Sequence, residues 1–150
     1  MKIQKIVSIL LVSVFSLSYP ISQAQSKPKI NVDKKEDLNK KLYDAIDTEN
    51  LSEVKKLITT GVKVNQKRGI SEEILGVTPL MFASYRDNVE IVKFLISKGA
   101  DINAKITEGD LIGYTPLIFG STKNSKEVIE TLLSKGANIN DKDGNGWNAL

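Results

Sequence analysis

Asp141, Asp143 and Asn145, followed by Gly146, place side-chain oxygens at alternate positions, the spacing with which a short loop wraps a calcium ion. Such a loop also needs flanking helices and a bidentate glutamate, and neither is in place, so the run reads as an ordinary turn and no metal is expected. Other chemistry is limited by what the chain lacks. It has no histidine and no cysteine, which removes the common nucleophile–base pairs, thiol catalysis, disulfides and Cys-ligated zinc. Glycine-rich phosphate loops are absent too. Nothing points to serine or carboxylate chemistry, so the chain is read as not an enzyme, with no cofactor and no small-molecule substrate.

The charge pattern is equally restrained. The 150 residues carry a formal net charge of +3 with 26% charged residues. Lys2 and Lys5 account for two of those charges, and residues 1–24 hold no acid, which leaves +1 for the remainder. Lys34-Lys35, Lys40-Lys41 and Lys55-Lys56 are interleaved with Asp33, Glu36, Asp37 and Glu53. Nucleic-acid binding requires an uncompensated basic face, so no nucleic-acid partner is expected.

The first 24 residues have the layout of a signal peptide. Met1 to Lys5 is a short basic region, Ile6 to Leu17 is apolar apart from serines, and Pro20 stops any helix. Ser22-Gln23-Ala24 sets small residues where a signal peptidase reads them, which predicts cleavage after Ala24 and an exported protein, periplasmic or secreted. The alternative is an uncleaved membrane anchor, although an apolar core of about a dozen residues falls short of the ~20 that cross a bilayer. A lipid anchor at the cleavage site would need a cysteine. Residues 25–38, polar and charge-rich around Pro28, read as a flexible leader.

Beyond the leader the chain repeats itself. Gly76-Val77-Thr78-Pro79-Leu80 is followed, nineteen residues past Leu80, by Gly99-Ala100-Asp101-Ile102-Asn103. Gly113-Tyr114-Thr115-Pro116-Leu117 leads at the same offset to Gly136-Ala137-Asn138-Ile139-Asn140. Counting nineteen back from Gly61 reaches Leu42, the start of a degenerate earlier copy. A unit repeated in this way builds a stacked solenoid that presents a surface. Within each unit, Thr78 and Thr115 are placed to cap helices, with Pro79 and Pro116 at the first helical position. Asp87 and Asn124 sit where the first helix must reverse, and these residue types tolerate a left-handed backbone. Val89, Ile91, Val92, Leu95 and Ile96 then follow helical spacing, as do Val128, Ile129, Leu132 and Leu133. Gly99 and Gly136 end these second helices, after Lys98 and Lys135.

Thr-Pro-Leu-x-x-Ala, Glu-[Ile/Val]-[Val/Ile] and Gly-Ala-[Asp/Asn]-Ile-Asn in one register resemble the ankyrin repeat over about residues 38–150. The resemblance implies an all-α repeat solenoid of helix-turn-helix units joined by β-hairpin fingers, whose usual role is to bind another protein. On this reading residues 39–75 form a degenerate N-capping repeat, 76–112 and 113–145 are repeats, and 146–150 begin an incomplete one. The histidine usual after Thr-Pro-Leu is Met81 in one copy and Ile118 in the other, so the family's Thr–His hydrogen bond is missing and a looser helix start is expected. Lys40-Lys41, Glu53 and Lys56 give the first copy the polar outer face of a terminal unit.

The spacings from Lys40 to Thr78 and from Thr78 to Thr115 are 38 and 37, against 33 from Thr115 to Asn148. The family period is about 33, so the fingers Gln66–Gly76 and Ala104–Gly113 carry five and four extra residues. Each has an acidic tip between apolar ends. Ile70, Leu75, Ile106 and Ile112 either pack finger against finger, the favoured reading, or extend a binding surface. The fourth unit stops within its first turn, which leads to the expectation of fraying after about Asn140 or of self-association through the uncapped end; a truncated array is the alternative.

The expected function is therefore a non-catalytic protein-binding surface, an adaptor or an inhibitor-like binder. In the family the partner meets the finger tips and the exposed face of the first helices. By matched position that surface takes in Val77, Tyr114 and Trp147 before the helices, with Tyr85-Arg86 and Lys123 late in them. Aromatic residues and arginine dominate interface energetics; the other reading is that each ring covers a neighbouring helix end. The alternative function is a structural or accessory subunit of an envelope assembly held by an uncleaved N-terminal anchor.

Overall fold

The computed structural model describes residues 32–71 and 74–149, with side chains from residue 38 onward. The expected signal peptide (1–24), residues 25–31 of the expected leader, Glu72 and Glu73 of the finger tip, and Leu150 lie outside the described residues. Among those described, six helices form three antiparallel pairs: α1 (Val32–Asp47) with α2 (Leu51–Thr59), α3 (Pro79–Tyr85) with α4 (Val89–Ser97), and α5 (Pro116–Thr122) with α6 (Lys126–Ser134). The first helices α1, α3 and α5 stack side by side, and α2, α4 and α6 stack behind them. The first helix includes residues 32–38, which were expected to belong to the leader. Residues 32–38 hold no proline or glycine that would interrupt a helix. The charge density there belongs to a helix and not to a linker.

Local rules set the helix ends. The Thr78 and Thr115 hydroxyls accept from the backbone N–H groups of Met81 and Ile118, both at 3.3 Å. At Thr78 the cap is reciprocal, because the Met81 thioether accepts the Thr78 N–H at 3.3 Å. The expected loosening is thereby offset in this unit, whereas Ile118 offers no acceptor at Thr115. Asn50 and Asn88 cap α2 and α4 through Oδ1. Ser125, in the matching place before α6, makes no capping bond. Asp87 and Asn124 take φ of +56° and +55° at the expected reversals, as does Glu49 in the first unit. Gly99 and Gly136 follow α4 and α6 with positive φ, also as expected.

The core runs through the stack without interruption. Leu42, Ile46, Val54, Leu80, Ile91, Leu95, Leu117 and Leu132 are buried in one cluster that spans all three units. Burial of a side chain of this size contributes about 1.5–3 kcal/mol, and because one cluster spans the units, part of that term lies at the boundaries between them. Gly120 replaces the alanine of the preceding unit, Ala83, where a Cβ would stand 3.2 Å from Val128 Cγ1. Ion pairs join neighbouring units at the surface: Arg86 with Asp47 at 3.1 Å, and Lys93 with Glu127 at 3.2 Å. The hydrogen bond to Glu127 raises the Lys93 pKa above the ordinary lysine value, against desolvation. Exposed pairs of this kind are screened by solvent and add little to stability.

A polar clasp repeats at the edge of the stack. Asn65 donates from Nδ2 to the Gly99 carbonyl at 3.1 Å and accepts from the Asp101 N–H at 2.8 Å. Asn103 does the same one unit on, with the Gly136 carbonyl at 3.2 Å and the Asn138 N–H at 2.9 Å.

The fingers are looser than hairpins. Among the described residues they form no strand ladder, only single antiparallel bridges, Arg68 with Val77 within one finger and Ile74 with Gly109 between the two. Outside those bridges the pairing is limited to isolated backbone bonds, from Ile70 to Ile74 in the first finger and between Ile106 and Gly113–Tyr114 in the second. Their apolar ends divide: Ile106 is 1% exposed, while Ile70 and Ile112 are 43% and 48% exposed. The end of the chain is held to the second finger, contrary to the expected fraying. Gly144 donates to the Ile112 carbonyl at 2.7 Å, and Lys105 reaches Asp141 at 2.8 Å. Asp143 Oδ1 accepts the N–H groups of Asn145 and Trp147, both at 2.9 Å. Of the oxygens that suggested a cation loop, Asp143 Oδ1 thus serves the turn, and Asp141 Oδ1 accepts from Lys105 and Asn138.

Tyr43 pins the first finger to α1. The single proton of its buried hydroxyl is shared between the Val77 carbonyl at 2.7 Å and the Gln66 carbonyl at 2.9 Å. Burial pushes its phenol well above the ordinary tyrosine range, opposed by the Arg68 guanidinium over its ring. Tyr43→Phe keeps the ring and removes the donor. It is expected to cost about 1–2 kcal/mol in urea denaturation, with faster hydrogen exchange at the Arg68 and Val77 amides. An unchanged unfolding midpoint would show that the finger holds without this pin.

Candidate functional site

A groove of about 300 Å3 opens between the fingers and the first helices. Its floor is aromatic. Phe82 and Tyr85 stand three residues apart on one face of α3, as helical geometry requires, and Phe119 takes the matching place on α5. Tyr114 enters from the finger just before α5. Phe119 lies 5.3 Å from the Tyr114 ring and 6.1 Å from the Tyr85 ring, both in edge arrangements. These T-shaped contacts fix the rings relative to one another and add about 0.5–1.5 kcal/mol each beyond burial. Ile70, Ile74 and Leu111 form the opposite wall. The extra finger residues therefore fold back over the helix face, held there by the Ile74–Gly109 bridge.

The residues expected at a partner surface are only partly brought together. Tyr85, 37% exposed, and Tyr114 line the groove. Lys123 is not part of the lining but reaches the rim through Tyr85, with its Nζ 4.3 Å from the centre of that ring. Val77 also lines the groove, but only at its floor: it is 1% exposed and packs with Tyr43, Met81 and Ile106. Pairing of its backbone with Arg68 turns its side chain inward, so it shapes the floor from below. Arg86 is drawn the other way. Its guanidinium pairs with the Asp47 carboxylate and donates to the Asp47 carbonyl at 3.3 Å, tying α3 to the end of α1.

Trp147 is 73% exposed and borders a second depression of about 490 Å3, shared with Tyr114 and Ile118. Tyr114 thus stands between two hollows. Phe82, half-buried, and Phe119, buried, both line the groove and were not among the residues expected at a partner surface. The signal for Phe82 was its spacing of three from Tyr85.

No cluster of three or more His, Cys, Asp or Glu side chains that could hold a metal ion occurs among the described residues, and no described helix is long and apolar enough to cross a membrane.

Comparison with known proteins agrees with the architecture. A family model described as ankyrin repeats (3 copies) matches residues 29–143. BRCA1-associated RING domain protein 1 of Caenorhabditis elegans is 37% identical over 78 residues, which is 52% of this chain and 10% of that protein. The match thus takes in a tenth of the length of that relative. The chain belongs to the ankyrin repeat family, whose stacked units are generally protein–protein interaction modules.

Proposed function

We propose that this chain is an exported, non-catalytic ankyrin repeat protein that binds another protein, as an adaptor or inhibitor-like binder, through its first-helix face and fingers. The observation that carries the reading is the aromatic groove, in which Phe82, Tyr85, Tyr114 and Phe119 meet with Lys123 on the Tyr85 ring. Aromatic anchors in a concave, largely apolar site are the features that concentrate binding energy at interfaces. Export rests on the basic start, apolar stretch and Ser22-Gln23-Ala24 of the N-terminus.

The test is crosslinked capture from envelope and secreted fractions with the tagged full chain, against a Tyr85→Ala, Tyr114→Ala double variant confirmed by circular dichroism to fold. Each truncation is expected to cost about 2 kcal/mol of binding, so the variant should lose a partner that the parent retains. Equal capture by both would remove the groove from the binding surface. The intact mass of the protein recovered from those fractions reports the leader separately. A mature chain starting at Gln25 supports export by cleavage, and one starting at Met1 points to the anchored alternative.

A further inference from the structure

The groove is chemically different along its two sides. On the finger side its wall is apolar, and the exposed carboxylates of Glu108 and Asp110 stand just before Leu111. On the helix side Thr122 leads into Lys123, whose ammonium rests over the Tyr85 ring and forms no ion pair among the described residues. Arg86, the neighbouring cation, is already answered by Asp47. A cation held against an aromatic face keeps its charge at the edge of the apolar surface that the ring provides. An incoming anion meets it there without displacing a carboxylate of the described chain.

The size of the groove narrows the occupant further. About 300 Å3 lies at the lower end of ligand-sized pockets, and the folded-back fingers bound it on one side. That space suits a single large side chain better than the whole face of a helix. We propose that the groove receives one bulky apolar side chain from an extended segment of a protein partner, with a carboxylate next to that side chain seated against Lys123. This rests on the protein-binding reading above and specifies the chemistry of the partner. It also sets a direction, with the acid toward the helix side and away from Glu108 and Asp110.

Selection of random phage-displayed peptides on the immobilised full chain tests it. The enriched peptides should share a large apolar residue beside Asp or Glu, and Tyr85→Ala should abolish their binding. For a synthetic copy of an enriched peptide, Lys123→Glu should weaken binding about tenfold and steepen its dependence on the peptide's charge, since rim charges act through complementarity. Replacing the peptide's acid by lysine should restore binding to Lys123→Glu. Lys123→Met, which removes the charge without reversing it, should give an intermediate loss. Enriched peptides without an acid, indifference to Lys123→Glu, or no enrichment would each overturn the proposal. If such a failure accompanied partner capture that still depends on Tyr85 and Tyr114, the protein-binding reading would stand and only the acidic-segment reading would fall.

Discussion

Leu80→Ala is expected to destabilise the fold by about 2–5 kcal/mol, the range for truncating a fully buried leucine. Leu80 is completely buried and lies in the apolar cluster that links all three units. A cavity there weakens two boundaries, because its unit is stacked between the other two. Total stabilities of about 5–15 kcal/mol leave little reserve for such a loss. Urea denaturation followed by circular dichroism reads the effect. Leu133→Ala is the internal control: this leucine is 36% exposed, and its truncation should cost no more than about 1 kcal/mol. Similar costs at both positions would contradict a core that spans the units.

Gly113→Ala should act by a different route and with comparable force. Gly113 has φ of +84°, and a Cβ there would lie 2.8 Å from the Cα and carbonyl carbon of Asp143 and from the Lys142 carbonyl oxygen. Both the left-handed backbone and the close approach of a second backbone exclude a side chain. Left-handed strain costs about 1–3 kcal/mol and overpacking about 1–3 more. The backbone atoms it would strike belong to the terminal loop, so that loop should leave the finger and release the bond from Gly144 to Ile112. Hydrogen exchange should rise at Gly144 and at the neighbouring Gly113 and Ile106 amides, while the amides of α1 and α2 stay protected. Unchanged exchange at Gly144 would show that the loop is held by something other than this approach.

Features set by neighbouring residues were legible in the sequence. Thr78 and Thr115 cap, Asp87 and Asn124 reverse the chain, and Gly99 and Gly136 close the second helices, because each answers to its own backbone. Less legible were arrangements decided by distant partners. The periodicity places Val77 beside Tyr114 and Trp147, but pairing with Arg68 nine residues upstream buries it. Arg86 has the composition of an interface anchor and is held by Asp47 from the preceding unit. The four apolar finger ends look equivalent in sequence, yet Ile106 is enclosed while Ile70 and Ile112 face outward. Tyr43 gave no sign of its role as a pin, since its two carbonyl partners lie 23 and 34 residues away. Met81 is a departure from the family pattern whose sulfur takes up part of the missing histidine's work.

The asparagine clasp has a consequence for how such a chain grows over generations. The hydrogen bonds from the Asn65 and Asn103 side chains to the following unit go to main-chain atoms, a glycine carbonyl and the N–H two residues further on. The side chain at that second position is free to differ, and it does: Asp101 in one unit, Asn138 in the next. A duplicated copy inserted in frame therefore arrives with its attachment already matched on both sides, whatever its surface residues have become. Inheritance can edit the face that meets a partner, or lengthen the array, without renegotiating the joint.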